Sequence, residues 1–110
     1  MQTKKAPLPR YVTFDNYGIT AERYKELRAV CRSGEHSDTV RLAAYTAAPD
    51  IAEYILLSAT ENKTFERVEF DEKLGQIPCC RTDFYGYRRL FYHHLDQQLK
   101  RNKCAGTSGI

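Results

Sequence analysis

The sequence predicts an all-α fold: one small helical domain of about five helices, with a C-terminal helix-turn-helix and a long last helix. Three observations carry that prediction. Apolar residues recur at helical spacing. Residues that cap and stop helices stand at the ends of those stretches. One long amphipathic stripe fills the C-terminal third.

Residues 1–10 hold Pro7, Pro9 and three bases, and read as a flexible basic arm. Tyr11-Val12-Thr13-Phe14 is β-branched and aromatic, and suits a short extended segment packed on the domain. Asp15-Asn16-Tyr17-Gly18 is a turn signal. Thr20 is a good N-cap for a first helix, with Glu22 in its first turn and Tyr24, Leu27 and Cys31 at helical spacing. Ser33-Gly34 closes it. Ser37-Asp38 opens a second, alanine-rich helix that runs to Ala48, before Pro49. Pro49 and Asp50 open a third through Ser58, and residues 59–63 read as a polar break.

Thr64 caps a fourth helix over 64–74, with Phe65, Val68 and Leu74 inward and Phe70 adding to that contact. Gly75 supplies a left-handed stop. Gln76-Ile77-Pro78 is a tight connector into a fifth helix from Cys79 to about Arg101. The domain is therefore expected over 11–101, and residues 102–110 are expected to be a disordered tail.

A length of 110 residues accommodates one domain. The net charge of +3 is unevenly spread. Residues 1–14 carry +3, residues 15–77 carry −4 and residues 78–110 carry +4. Clustered bases form an electrostatic footprint for phosphate or another acidic partner. Plentiful aromatics and small net charge exclude a disordered chain. No apolar run is long enough to cross a membrane. The N-terminus has no apolar core of a signal peptide, so a cytoplasmic location with reduced thiols is expected.

None of the four cysteines has zinc-knuckle spacing, so a metal site from Cys79, Cys80, His93 and His94 is disfavoured and no cofactor is expected. Cys31 and Cys80 are read as small buried apolar groups, and Cys104 as an oxidisable thiol in the tail.

The helix over 64–74, a glycine, a short connector and the helix over 79–101 have the layout of a helix-turn-helix, whose second helix enters a major groove. Cys80, Phe84, Tyr87, Phe91, Leu95 and Leu99 form one stripe at 100° per residue, read as core. Thr82, Tyr85, Gly86, Arg89 and His93 lie opposite, with Arg81 and Arg88 at the flank. Arginine makes bidentate contacts to guanine or phosphate, and threonine and tyrosine hydroxyls reach base edges or phosphates. Gly86 would let a DNA backbone come close. The DNA-contact candidates are therefore Arg81, Thr82, Tyr85, Arg88 and Arg89, with His93, Lys100 and Arg101 nearer to phosphate.

Ile77-Pro78-Cys79, with Arg81, Phe84-Tyr85, Arg88-Arg89, Phe91 and Leu95, resembles the C-terminal signature of small prophage-encoded proteins of clostridial type. These are similar to the ArpU/RinA-like phage transcriptional regulators, which carry a sigma-factor-like helix-turn-helix. Tyr11-Val12-Thr13-Phe14, Tyr17-Gly18-Ile19 and Arg23-Tyr24 resemble the same proteins, and residues 33–63 align only loosely. The resemblance implies binding of double-stranded DNA and a role in late-gene transcription or a related prophage function. It supports Arg81, Arg88 and Arg89 as basic contacts and Phe84, Tyr85 and Phe91 as signature aromatics. The chain departs from the signature at Cys80, Gly86 and His93-His94.

Other classes have weaker signals. Glu69, Asp71 and Glu72 read as a solvated helix face, and adjacent His93-His94 point about 100° apart on a helix, so no catalytic constellation is expected. A tyrosine-rich module contacting RNA polymerase is one alternative. A DNA-packaging subunit forming a ring is another, whereas a regulator more often forms a homodimer.

Overall fold

Two threonines start helices by the same bond. Thr20 Oγ1 accepts from the Arg23 N–H at 3.1 Å, and Thr64 Oγ1 from the Arg67 N–H at 3.3 Å. Each satisfies one of the donors that a helix start leaves without an intrahelical partner. The computed structural model describes residues 9–70 and 74–108, with side chains through residue 101. Helices α1 (Ala21–Ser33), α2 (Ser37–Ala47), α3 (Ala52–Glu61), α4 (Phe65–Glu69) and α5 (Arg81–Ser108) make the fold all-α, with no strand among the described residues.

α1 ends where predicted, at Gly34 with φ +78°. α2 ends before Pro49, and Pro49–Ile51 forms a 3₁₀ turn that leads into α3. α3 runs into the expected polar break, as far as Glu61, and Ala59 in it is buried. It stops at Asn62, in the left-handed region at φ +54°, which asparagine tolerates better than most residues.

α4 corrects the sequence reading. It covers Phe65–Glu69 instead of running to Leu74. Phe65 and Val68 are buried, but Phe70 is 85% exposed and Leu74 is also exposed. Leu74 lies nine residues beyond Phe65, which on a helix is roughly 180° round from it. A longer helix would have carried Glu72, not an apolar residue, under the Phe65 face. Gly75 does take a left-handed φ of +80°, but in the connector and not as the stop of α4. That connector is tied down by Ile77, which is buried, and by two kinds of polar contact. The Ile77 N–H donates to Glu69 Oε2 at 3.3 Å, and the Tyr54 hydroxyl faces the carbonyls of Leu74 and Gln76 at 3.2 Å each. Glu69 is thus a structural acceptor and not a solvated face; Asp71 and Glu72 lie outside the described residues.

α5 is the central helix. Phe84, Phe91, Tyr92 and Leu95 are fully buried in it. Val40, Ala43 and Ala44 of α2 join the same core, and the two alanines let the helix backbones approach closely. Tyr87 and Leu99 of the predicted stripe pack half-buried against this core, whereas Cys80 is exposed. Phe14, Tyr24 and Tyr92 form an aromatic cluster, with Phe14–Tyr24 centroids 4.7 Å apart and Tyr24–Tyr92 edge-on at 5.2 Å.

Both ends differ from expectation. Pro9–Tyr11 is a 3₁₀ turn lying on α5, so Arg10 belongs to the folded body and not to a free arm. Residues 1–8 are outside the described part. α5 continues as a helix to Ser108, through the stretch expected to be a tail, and the side chain of Cys104 lies outside the described ones. No described helix is long and apolar enough to cross a membrane.

Candidate nucleic-acid interface

A recognition helix must present one face to a groove. From Asp83 to Leu99, only Gln97 of α5 is exposed. The middle of the helix is surrounded, and most of its predicted contact residues are engaged inside the fold.

Arg88 sits among tyrosines. Its Nη1 donates to Ser58 Oγ and its Nη2 to the Tyr24 hydroxyl, both at 3.0 Å. The guanidinium lies 5.1 Å from the Tyr85 ring centroid and 6.0 Å from that of Tyr92. Hydrogen bonds and cation–π contacts thus hold this partly buried cation in place. Tyr85 itself accepts the Phe65 N–H at 2.9 Å, which ties the start of α4 to α5.

Arg89 faces the N-terminal segment. Its Nε donates to the Val12 carbonyl at 2.8 Å and its Nη2 to the Arg10 carbonyl at 3.4 Å. Gly86 also meets this segment. A Cβ there would stand 2.7 Å from the N and Cα of Arg10. The close backbone approach expected of Gly86 is real, but the approaching backbone is the protein's own. His93 stacks on Tyr17, with centroids 4.6 Å apart and planes 18° apart. Tyr85, Gly86, Arg89 and His93 therefore do not form an outward face as predicted, and Arg88, expected at its flank, is held inside the fold. The apolar stripe accounted for one side of α5; the other side is covered by α4 and the N-terminal segment.

What stays exposed lies at the two ends. Arg81 is 66% exposed in the first turn of α5, with Nε 3.4 Å from Glu66 Oε2 of α4, and Thr82 beside it is exposed. Arg67, next to Glu66, is exposed as well. At the far end Arg101 is exposed, and Lys100 reaches back to Asp96 at 3.2 Å.

No family model, no curated protein and no solved structure matches the chain. The likeness to phage regulators thus rests on the signature residues alone, and several of those hold the fold together. The helix pair also departs from a tight helix-turn-helix, because Phe70–Cys80 separates a five-residue α4 from α5. Among the described residues no three His, Cys, Asp or Glu side chains converge as a metal site.

Sequence reasoning missed Asp96. Its carboxylate is buried and accepts from Arg23 Nε at 2.7 Å. The available signal was its spacing of four residues from Lys100, which placed an acid next to the apolar stripe.

Proposed function

We propose that the chain is a double-stranded DNA-binding protein of the prophage transcription-regulator type, acting in the cytoplasm without catalysis, and that its contact lies at the start of α5. The observation that supports this is the joint exposure of Arg81 and Thr82 on the first turn of a long helix, with Arg67 exposed on α4. A helix start offers unpaired N–H groups and a positive dipole end, both suited to phosphate. Arg81 adds a planar cation and Thr82 a hydroxyl. Glu66 opposes this attraction, since a phosphate must compete with it for Arg81. Contact of this kind positions a protein on DNA and carries little base information.

Titration of a fluorescent duplex at about 50 mM salt should show binding at micromolar protein or tighter, falling steeply with added salt. No binding under those conditions removes the reading. A second reading, contact with a protein partner, is favoured by Leu42 and Tyr45 on α2, which are 52% and 40% exposed three residues apart. Binding by that face would be weakened by Leu42→Asp and changed little by salt.

A further inference from the structure

Residues 9–12 form a strap over the part of α5 that the sequence assigns to DNA. The strap is held by polar contacts and not by buried apolar area. Its 3₁₀ turn contributes no buried residue. Arg89 grips two of its carbonyls. Arg10 Nε lies 3.2 Å from Asp83 Oδ1, yet without the alignment of a hydrogen bond. The chain becomes firmly anchored only beyond it, where Phe14 packs against the core and Ile19 is buried. Gly86 is the position that admits the strap, because any side chain there would meet the Arg10 backbone. A mid-helix glycine lowers helix stability, and this docking accounts for its presence.

Lifting the strap would free two cations at once. Arg10 would lose Asp83, and Arg89 would lose the carbonyls it holds. Arg89 would then be uncovered on α5 about two turns beyond Arg81, while Arg10 would move with the strap, which Lys4 and Lys5 precede in sequence. We infer that the strap is an autoinhibitory cover: docked on Gly86 and Arg89 it limits DNA contact to the start of α5, and phosphate displaces it to recruit Arg10 and Arg89. This rests on the DNA-binding reading above.

Gly86→Ala tests it in the full chain. The added methyl favours the helix and disfavours only the docked strap, so the fold should persist by circular dichroism. Two readouts are needed. Tryptic cleavage after Arg10, followed by mass spectrometry, reports the strap without DNA. Duplex titration across salt concentrations reports the contact. The expected result is cleavage several-fold faster than wild type, with affinity at low salt about tenfold tighter and a salt slope steeper by about 2, since each neutralised phosphate adds roughly 0.9. Asp83→Asn, which frees Arg10 without altering helix packing, should move both readouts in the same direction. Faster cleavage with unchanged DNA affinity and slope would overturn the inference while leaving the DNA-binding reading standing. Unchanged cleavage in both variants would overturn it too, since the strap would not depend on these contacts. Absence of duplex binding by wild type and both variants would remove the DNA-binding reading itself, and the inference with it.

Discussion

Arg23 of α1 places its Nε 2.7 Å from Oδ1 of Asp96, whose side chain is 4% exposed in the middle of α5. The pair joins helices 73 residues apart in sequence. Lys100 approaches the other oxygen from one turn further along, and Glu26 takes a second nitrogen of Arg23 at 2.9 Å. The buried acid is therefore neutralised from two sides, and the two sides are unequal. Arg23 is mostly covered, whereas Lys100 is mostly exposed.

That inequality gives the first prediction. Arg23→Met should lower the unfolding free energy by about 3 kcal/mol, because a buried carboxylate is left with one solvated partner. Lys100→Ala should cost less than about 1 kcal/mol, as exposed ion pairs do. Urea denaturation of the two variants checks the order, and equal losses would show that Lys100 carries as much of the pairing as Arg23.

The second prediction separates two arginines that look alike in sequence. Arg88→Lys should destabilise by roughly 1.5–3 kcal/mol, since a lysine cannot reproduce the forked bonds to Ser58 and Tyr24. Arg81→Ala should leave stability within about 0.5 kcal/mol of wild type. In the DNA-binding reading Arg81→Ala also weakens duplex affinity and lowers the salt slope by about 1. Thermal melts and duplex titrations on the same two proteins check both halves.

Much of the fold was legible because it depends on local chemistry. Thr20, Thr64, Gly34 and Pro49 mark helix ends by capping, left-handed φ or a missing N–H, and each acts where expected. Phe84, Phe91 and Leu95 followed from helical spacing. The site was less legible because a polar side chain is not by that fact an exposed one. Arg88, Arg89 and Asp96 are polar yet covered, and their hydrogen-bond partners lie 30 to 79 residues away. No periodicity shows such pairings. Gly86 makes the same point from the other side: a missing side chain signals a close approach but not by what.

Cysteine reactivity gives the third prediction. Burial pushes the Cys31 thiol up to about 12 and that of Cys79 up to about 11. Both are therefore fully protonated near neutrality, and the thiolate is the reactive form. Cys80 is exposed. In a Cys104→Ser background, a short maleimide pulse at pH 7.5 should label Cys80 first and Cys31 only after unfolding. Peptide mass spectrometry reads the sites, and early labelling of Cys31 would contradict its place in the core.

The last prediction concerns acid. Burial, and after it the neighbouring His93, lowers the His94 pKa below its ordinary 6.5. The folded protein thus resists protonation at His94, while the unfolded chain takes up that proton near 6.5. Between those two values the unfolded state binds more protons, so stability falls as pH falls. The contribution is whole above about 6.5 and declines toward the lowered folded value. Replacing the ring by an uncharged amide removes the linkage. The melting temperature of wild type should therefore drop relative to that of His94→Gln between pH 7.5 and pH 5.5, whatever the offset between them at pH 7.5. Parallel curves across that range would mean that His94 titrates alike in the folded and unfolded chains.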